Sequence, residues 1–102
     1  MVLLDLQIFP NDKGENLSEY VARCLDVIDK SGVAYKLTPM GTILEGEWDE
    51  VMAVVTGCFK ALEKDCNRIT TNIRIDYRNG KNSRLKSKIE SVEKIVGRPL
   101  ST

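Results

Sequence analysis

Val2, Leu4, Leu6 and Ile8 alternate with Leu3, Asp5, Gln7 and Phe9 at the start of the chain. A period of two predicts a strand with one buried face and one mixed face, and Pro10 ends it. After the polar loop Asn11-Asp12-Lys13-Gly14 the period changes. Leu17, Tyr20, Val21, Cys24, Leu25 and Ile28 recur at helical spacing, with Ser18 as a candidate cap and Ser31-Gly32 as the stop. Residues 33–38 read as a second strand, which Pro39-Met40-Gly41 turns into a third over 42–45. Gly46 then releases the backbone into a helix running from 48 or 49 to 64, with Val51, Val54, Val55, Cys58, Phe59 and Leu62 as its apolar stripe.

Residues 68–78 form a long strand with Ile69, Thr71, Ile73, Ile75 and Tyr77 on one face and Thr70, Asn72, Arg74 and Asp76 on the other. Asn79-Gly80-Lys81-Asn82 breaks it. Leu85, Ile89, Val92 and Ile95-Val96 mark a third helix, closed by Gly97 and Pro99. The order βαββαβα predicts an α+β fold, a split βαβ arrangement in which two helices cover one face of a four-stranded antiparallel sheet, with an additional C-terminal helix. The other face has no helix of its own. It would carry Leu3, Asp5, Gln7 and Phe9, then Ile43 and Glu45, then Thr70, Asn72, Arg74 and Asp76. Leaving Leu3, Phe9 and Ile43 in water would forgo roughly 1.5 to 3 kcal/mol of burial for each large side chain, so this face is expected to be a subunit contact, a ligand floor or both.

With 102 residues and 42% hydrophobic content, residues 1–102 are expected to form a single domain. Fifteen basic residues balance fifteen acidic ones, which gives no long-range attraction to nucleic acid or an anionic membrane. The start Met1-Val2-Leu3-Leu4 meets Asp5 too early for a signal peptide, and no apolar run is long enough to span a bilayer, so a cytoplasmic location is expected. Three cysteines without a Cys-x-x-Cys pair, and no histidine, argue against a zinc site or a disulfide scaffold. Cys24 and Cys58 are read as small buried hydrophobes. The missing histidine also removes the usual base for a Ser or Cys nucleophile. Lys81, Arg84, Lys86 and Lys88 read as solvated helix surface. Trp48, just after Gly46, is expected to wedge between helix and sheet edge, with Asp49 and Glu50 favouring the helix N-terminus. An RNA-binding sheet would need exposed aromatics that Phe9 and a buried-side Tyr77 do not supply.

The span Gly41-Thr42-Ile43-Leu44-Glu45-Gly46-Glu47-Trp48-Asp49, joined to Thr71-Asn72-Ile73-Arg74-Ile75-Asp76, resembles the small thiamine-binding protein family over essentially the whole chain. The resemblance implies ferredoxin-like domains that assemble into homodimers or homotetramers and bind thiamine or its hydroxymethylpyrimidine part. Family members commonly carry Pro-hydrophobic-Gly-Thr after the first strand and a polar pair such as His-Ser before the Gly-Thr element. This chain has Pro10-Asn11-Asp12-Lys13 and Leu37-Thr38-Pro39-Met40 there, departures that fall at the expected rim of the pocket.

Thiamine pairs a fixed cationic thiazolium with an aminopyrimidine that needs matched donors and acceptors, so a carboxylate with neighbouring amides suits it. Glu45 is the first candidate anchor. Asp5, Gln7, Asn72 and Thr38 are candidate orienting groups, and Phe9 is the candidate aromatic contact. The plainer alternative pairs Glu45 and Asp5 with Arg74 or Lys36 across the sheet or a subunit boundary. The leading expectation is therefore non-enzymatic binding of thiamine or a pyrimidine precursor, in salvage or carriage, with no cofactor required. The alternative is a structural or regulatory homo-oligomer whose sheet face serves only assembly. A small enzyme using Glu45 or Asp5 as acid or base ranks third.

Overall fold

The computed structural model describes residues 1–80 and 83–102. Its elements follow the order β1 (Val2–Pro10), α1 (Ser18–Ser31), β2 (Ala34–Thr38), β3 (Gly41–Gly46), α2 (Trp48–Glu63), β4 (Ile69–Tyr77) and α3 (Ser87–Val96). All pairings are antiparallel, in the strand order β2-β3-β1-β4. This is the ferredoxin-like βαββαβ topology with a further C-terminal helix. Lys81 and Asn82, read from the sequence as part of the turn after β4, lie outside the described residues.

The alternation in β1 decides which way the sheet faces. Val2, Leu4, Leu6 and Ile8 are buried beneath α1 and α2, together with Leu44 from β3, Cys24 and Ile28 from α1, and Val51, Val54, Val55, Cys58 and Leu62 from α2. Leu4 opposite Leu44 sits at the centre of this layer, both with no exposed surface. Helix α1 ends at Gly32, whose φ of 80° is left-handed and suits a residue without a Cβ. Helix α2 begins where the Glu50 carboxylate accepts the Glu47 N–H at 3.1 Å, closing an end that would otherwise leave a donor unpaired.

Four local expectations need correction. Ser18 is the first residue of α1 and does not cap it; Leu17 holds that position, with no side-chain cap. Trp48 is not a wedge, because its indole is 53% exposed on the first turn of α2, and Val51 packs beneath Gly46 instead. Tyr77 shares the helix-side face of β4 but is 65% exposed, since β4 is an edge strand that runs out beyond the helices. Arg84 is not solvated surface: it is 4% exposed and donates to the Asp76 carboxylate at 2.8 Å, the Asp76 carbonyl at 2.8 Å and the Met1 carbonyl at 3.2 Å.

Arg84 reaches these groups because residues 83–88 fold back over one end of the sheet face that α1 and α2 leave free. Lys88 also binds Asp76. Helix α3 itself buries no residue fully and leaves Val92, Ile95 and Val96 exposed, with Leu100 beyond it. The face read as open is thus capped at its Leu3–Asp76 end and free at its Phe9–Thr70 end.

The centre of the helix-side layer should be the least tolerant part of the chain. Leu44→Ala is expected to lower unfolding stability by about 2 to 5 kcal/mol. Urea unfolding followed by circular dichroism checks this, and a loss under about 1 kcal/mol would show that Leu44 is not at the packing centre.

Candidate functional site

The six candidate residues separate into three places. Glu45 stands on β3 beneath the C-terminal segment. Glu45 is 5% exposed, and among the described residues its carboxylate accepts three hydrogen bonds, from Ser83 Oγ at 2.6 Å, the Arg84 backbone N–H at 2.5 Å and the Leu85 backbone N–H at 3.0 Å. Burial pushes its pKa up, but these three donors, with the Arg84 charge, outweigh that and hold the pKa below its ordinary value. The expected ligand anchor is therefore engaged by the protein's own chain. Neither Arg74 nor Lys36 supplies its partners; backbone amides and a serine do.

Asp5, Gln7 and Asn72 lie together on the free sheet face, where the register sets Asp5 opposite Arg74 and Gln7 opposite Asn72. Asp5 and Arg74 form a loose ion pair at 3.8 Å, with Arg74 88% exposed, a geometry that contributes little stability. Asn72 donates to the Gln7 side-chain oxygen at 3.4 Å. These groups line a polar depression of about 590 Å³.

Gln7 also belongs to a second cavity, with Phe9 and Thr38. Strand β1 pairs with β4 along its whole length, but with β3 only from Val2 to Leu6. The β2–β3 hairpin turns back at Pro39-Met40, so among the described residues no strand pairs with 7–10 on that side. The gap is a cleft of about 230 Å³, mainly apolar, walled by Leu6 and Ile8 from β1, the turn at 38–41, Leu17 at the start of α1, and Val21 and Cys24 within it.

The turn that makes the cleft is held by specific contacts. Thr38 Oγ1 donates to the Gly41 carbonyl at 2.9 Å and accepts the Met40 N–H at 3.3 Å. The Gln7 amide donates to the Met40 carbonyl. A Cβ on Gly41 would lie 2.9 Å from the Leu6 carbonyl oxygen and 3.3 Å from Asp5 Oδ1, so only glycine lets the hairpin close against β1 here. Asp5 is thereby placed beside the rim.

Of the candidates named from the sequence, Gln7, Phe9 and Thr38 line this cleft; the part that α1 plays in walling it was not anticipated, because Val21 and Cys24 read as ordinary core-facing positions. Nor was the part played by Ser83, Arg84 and Leu85, which carry no periodic signal. Among the described residues no cluster of three or more potential metal ligands occurs. Nor, among those residues, is any helix long and apolar enough to cross a membrane.

Comparison with known proteins gives a consistent result. Residues 4–93 match the family described as Thiamine-binding protein. The UPF0045 protein YqgV of Bacillus subtilis is 38% identical over 100 residues, covering 92% of this chain and 96% of its own length. A UPF0045 protein of Synechocystis is 34% identical, covering 90% of this chain and 77% of the relative. Among solved structures, a hypothetical protein of Methanocaldococcus jannaschii superposes with a TM-score of 0.79 at 28% identity, over 89% of this chain and 94% of the other. A Thermotoga maritima protein provisionally assigned to thiamine biosynthesis or salvage gives 0.78 at 26% identity, over 89% and 97%.

The Glu45 carboxylate fixes a pH dependence. Its pKa is lowered in the folded chain, so its stabilising contribution is fully present above the ordinary carboxylate pKa of 4.5 and is lost as pH falls through the lowered folded value. Hydrogen exchange of the Arg84 and Leu85 amides should accelerate relative to the β1 amides as pH drops below about 4.5, after correction for intrinsic rates. In Glu45→Gln the same amides should be weakly protected at neutral pH. Equal protection in both proteins at every pH would contradict the assignment.

Proposed function

We propose a non-enzymatic role for this chain, which belongs to the thiamine-binding protein family: it takes up thiamine, or the hydroxymethylpyrimidine part of it, in the cleft between α1, β1 and the β2–β3 turn. The observation that carries the proposal is the free edge of β1 from Gln7 onward. A strand edge offers backbone donors and acceptors in fixed positions, and an aminopyrimidine carries the matching pattern on its own edge. The apolar walls from Leu6, Ile8, Leu17 and Val21 suit its flat faces. Thr38 and Gln7 supply the side-chain polar groups, and Phe9 lies at the same end.

Size and charge favour this cleft over the depression on the sheet face. At about 230 Å³ it is below the roughly 300–1,000 Å³ of pockets that enclose drug-sized ligands, which fits one small ring rather than all of thiamine. The thiazolium would then remain outside, with Asp5 the carboxylate nearest the rim. The depression carries the exposed Arg74 guanidinium, which opposes a cationic ligand. Glu45, in this reading, secures the C-terminal segment and does not meet the ligand; Asn72 orients Gln7.

Assembly belongs to the same proposal. The free end of the sheet face, with half-buried Phe9 and Ile43, and the exposed Val92, Ile95 and Val96 of α3 are apolar surfaces suited to a homodimer or homotetramer. No chemical step is assigned to the site. Binding alone would suffice for a role in salvage or carriage.

Isothermal titration with hydroxymethylpyrimidine, thiamine and its phosphates, alongside sedimentation equilibrium, tests the proposal. Hydroxymethylpyrimidine and thiamine should bind with affinities within about tenfold of each other, since both insert the same ring. Val21→Trp, at a half-exposed position on the cleft wall, should weaken both by tenfold or more, about 1.4 kcal/mol, while leaving the urea midpoint near that of the parent. Intact oligomers that give no heat with any of these ligands would favour a purely structural or regulatory oligomer.

A further inference from the structure

Two of the chain's three cysteines face one another across the helix pair, away from the polar groups of the proposed pocket. Cys24 Sγ donates to the Cys58 carbonyl at 3.9 Å and Cys58 Sγ donates to the Cys24 carbonyl at 3.6 Å. For each sulfur to reach the other residue's backbone, the two helices must run close at this level. Gly57, the residue before Cys58, shows why they can: a Cβ there would lie 2.9 Å from Val27 Cγ1 of α1. Such proximity is what a disulfide demands, with Cα atoms about 4.4 to 6.8 Å apart.

The two sulfurs are not equivalent. Cys58 has no exposed surface, whereas Cys24 is 2% exposed and forms part of the cleft wall, so a small molecule entering the cleft meets Cys24 first. We propose that Cys24 and Cys58 form a peroxide-sensitive dithiol, with Cys24 as the attacking sulfur and Cys58 as the resolving one. The Cys58 thiol donates toward Cys24 and lowers its pKa, while the same pairing and burial raise that of Cys58. A lowered pKa favours the thiolate, the nucleophilic form. Cys66 lacks these features. Burial and the neighbouring Asp65 and Asp12 carboxylates push its thiol up.

The chemistry balances with hydrogen peroxide as the oxidant. The Cys24 sulfur attacks one peroxide oxygen, the O–O bond breaks, and the departing hydroxide takes up the thiol proton as water, leaving a sulfenic acid. The Cys58 sulfur then attacks the Cys24 sulfur. The S–O bond breaks, and the hydroxide leaves with the Cys58 proton as a second water. Two thiols and one peroxide give one disulfide and two waters; the sulfurs are oxidised and the peroxide oxygens reduced. Disulfides that form in reducing compartments are usually transient and redox-sensing, the class to which a reversible pair of this kind would belong. This property does not depend on what the cleft binds.

The full-length protein treated with hydrogen peroxide under native conditions decides the matter by thiol titration and peptide mass mapping. The expected result is loss of two of the three thiols, a single peptide pair joined through Cys24 and Cys58, and full recovery with dithiothreitol. Cys58→Ser should stop at a Cys24 sulfenic acid that dimedone traps, and Cys24→Ser should keep both remaining thiols. Retention of all three thiols in the parent protein would overturn the proposal. So would a bond involving Cys66, a bond between chains, or Cys24 sulfinic acid with Cys58 still reduced.

Discussion

The first strand is longer than the hairpin that flanks it. Nine residues of β1 meet nine of β4, but β3 has only six and is in register with β1 over its first half. The cleft proposed as the ligand site follows from that inequality. Beyond Leu6 the strand is paired on one side only, and α1 passes above a gap that no strand fills. Backbone polar groups along such an edge need partners, and a site walled by apolar side chains gives water little to hold. A small flat molecule with its own donors and acceptors satisfies both conditions. Thr38 pins the turn internally, and Gln7 and Gly41 hold it against β1, each contact depending on the residue type found there.

At the opposite end of the sheet the same face is used differently. Glu45 and Arg84 are both buried charged residues, and each is satisfied by the chain around it: Glu45 by Ser83 and the amides of 84 and 85, Arg84 by the Asp76 carboxylate and the carbonyls of Asp76 and Met1. Isolated, either charge would be costly in that position. Together they fix the start of α3 over the sheet while the rest of α3 keeps its apolar residues exposed. The cleft proposed for the ligand and the C-terminal end are thus separated along β1, which leaves room for both on a small domain.

The fold was legible because its signals are local. The period of two in β1 and β4 assigned both faces correctly, and Gly32 and Gly97 marked the ends of α1 and α3. Part of the candidate site was legible for the same reason: Gln7, Phe9 and Thr38, which line the cleft, stand where alternation and turn chemistry put them. Glu45 shows where local reading stops. An isolated acid on a strand looks like a ligand group until the chain returns about forty residues later to cover it, and nothing periodic in Ser83-Arg84-Leu85 announces that return. The cleft was hidden for a related reason, since it comes from the register between strands of unequal length. Cys24 and Cys58 were rightly read as buried, but their mutual approach depends on Gly57 letting the helices close, a tertiary fact.

The measurement that bears most directly on this account is the map of backbone amide shifts on titrating the labelled protein with hydroxymethylpyrimidine. The account predicts saturable shifts at Ile8, Phe9 and the 38–41 turn, and on α1 near Val21, with Arg84 and Leu85 unmoved. Shifts confined to Asp5, Asn72 and Arg74, or centred on Glu45 and the segment that covers it, would contradict it.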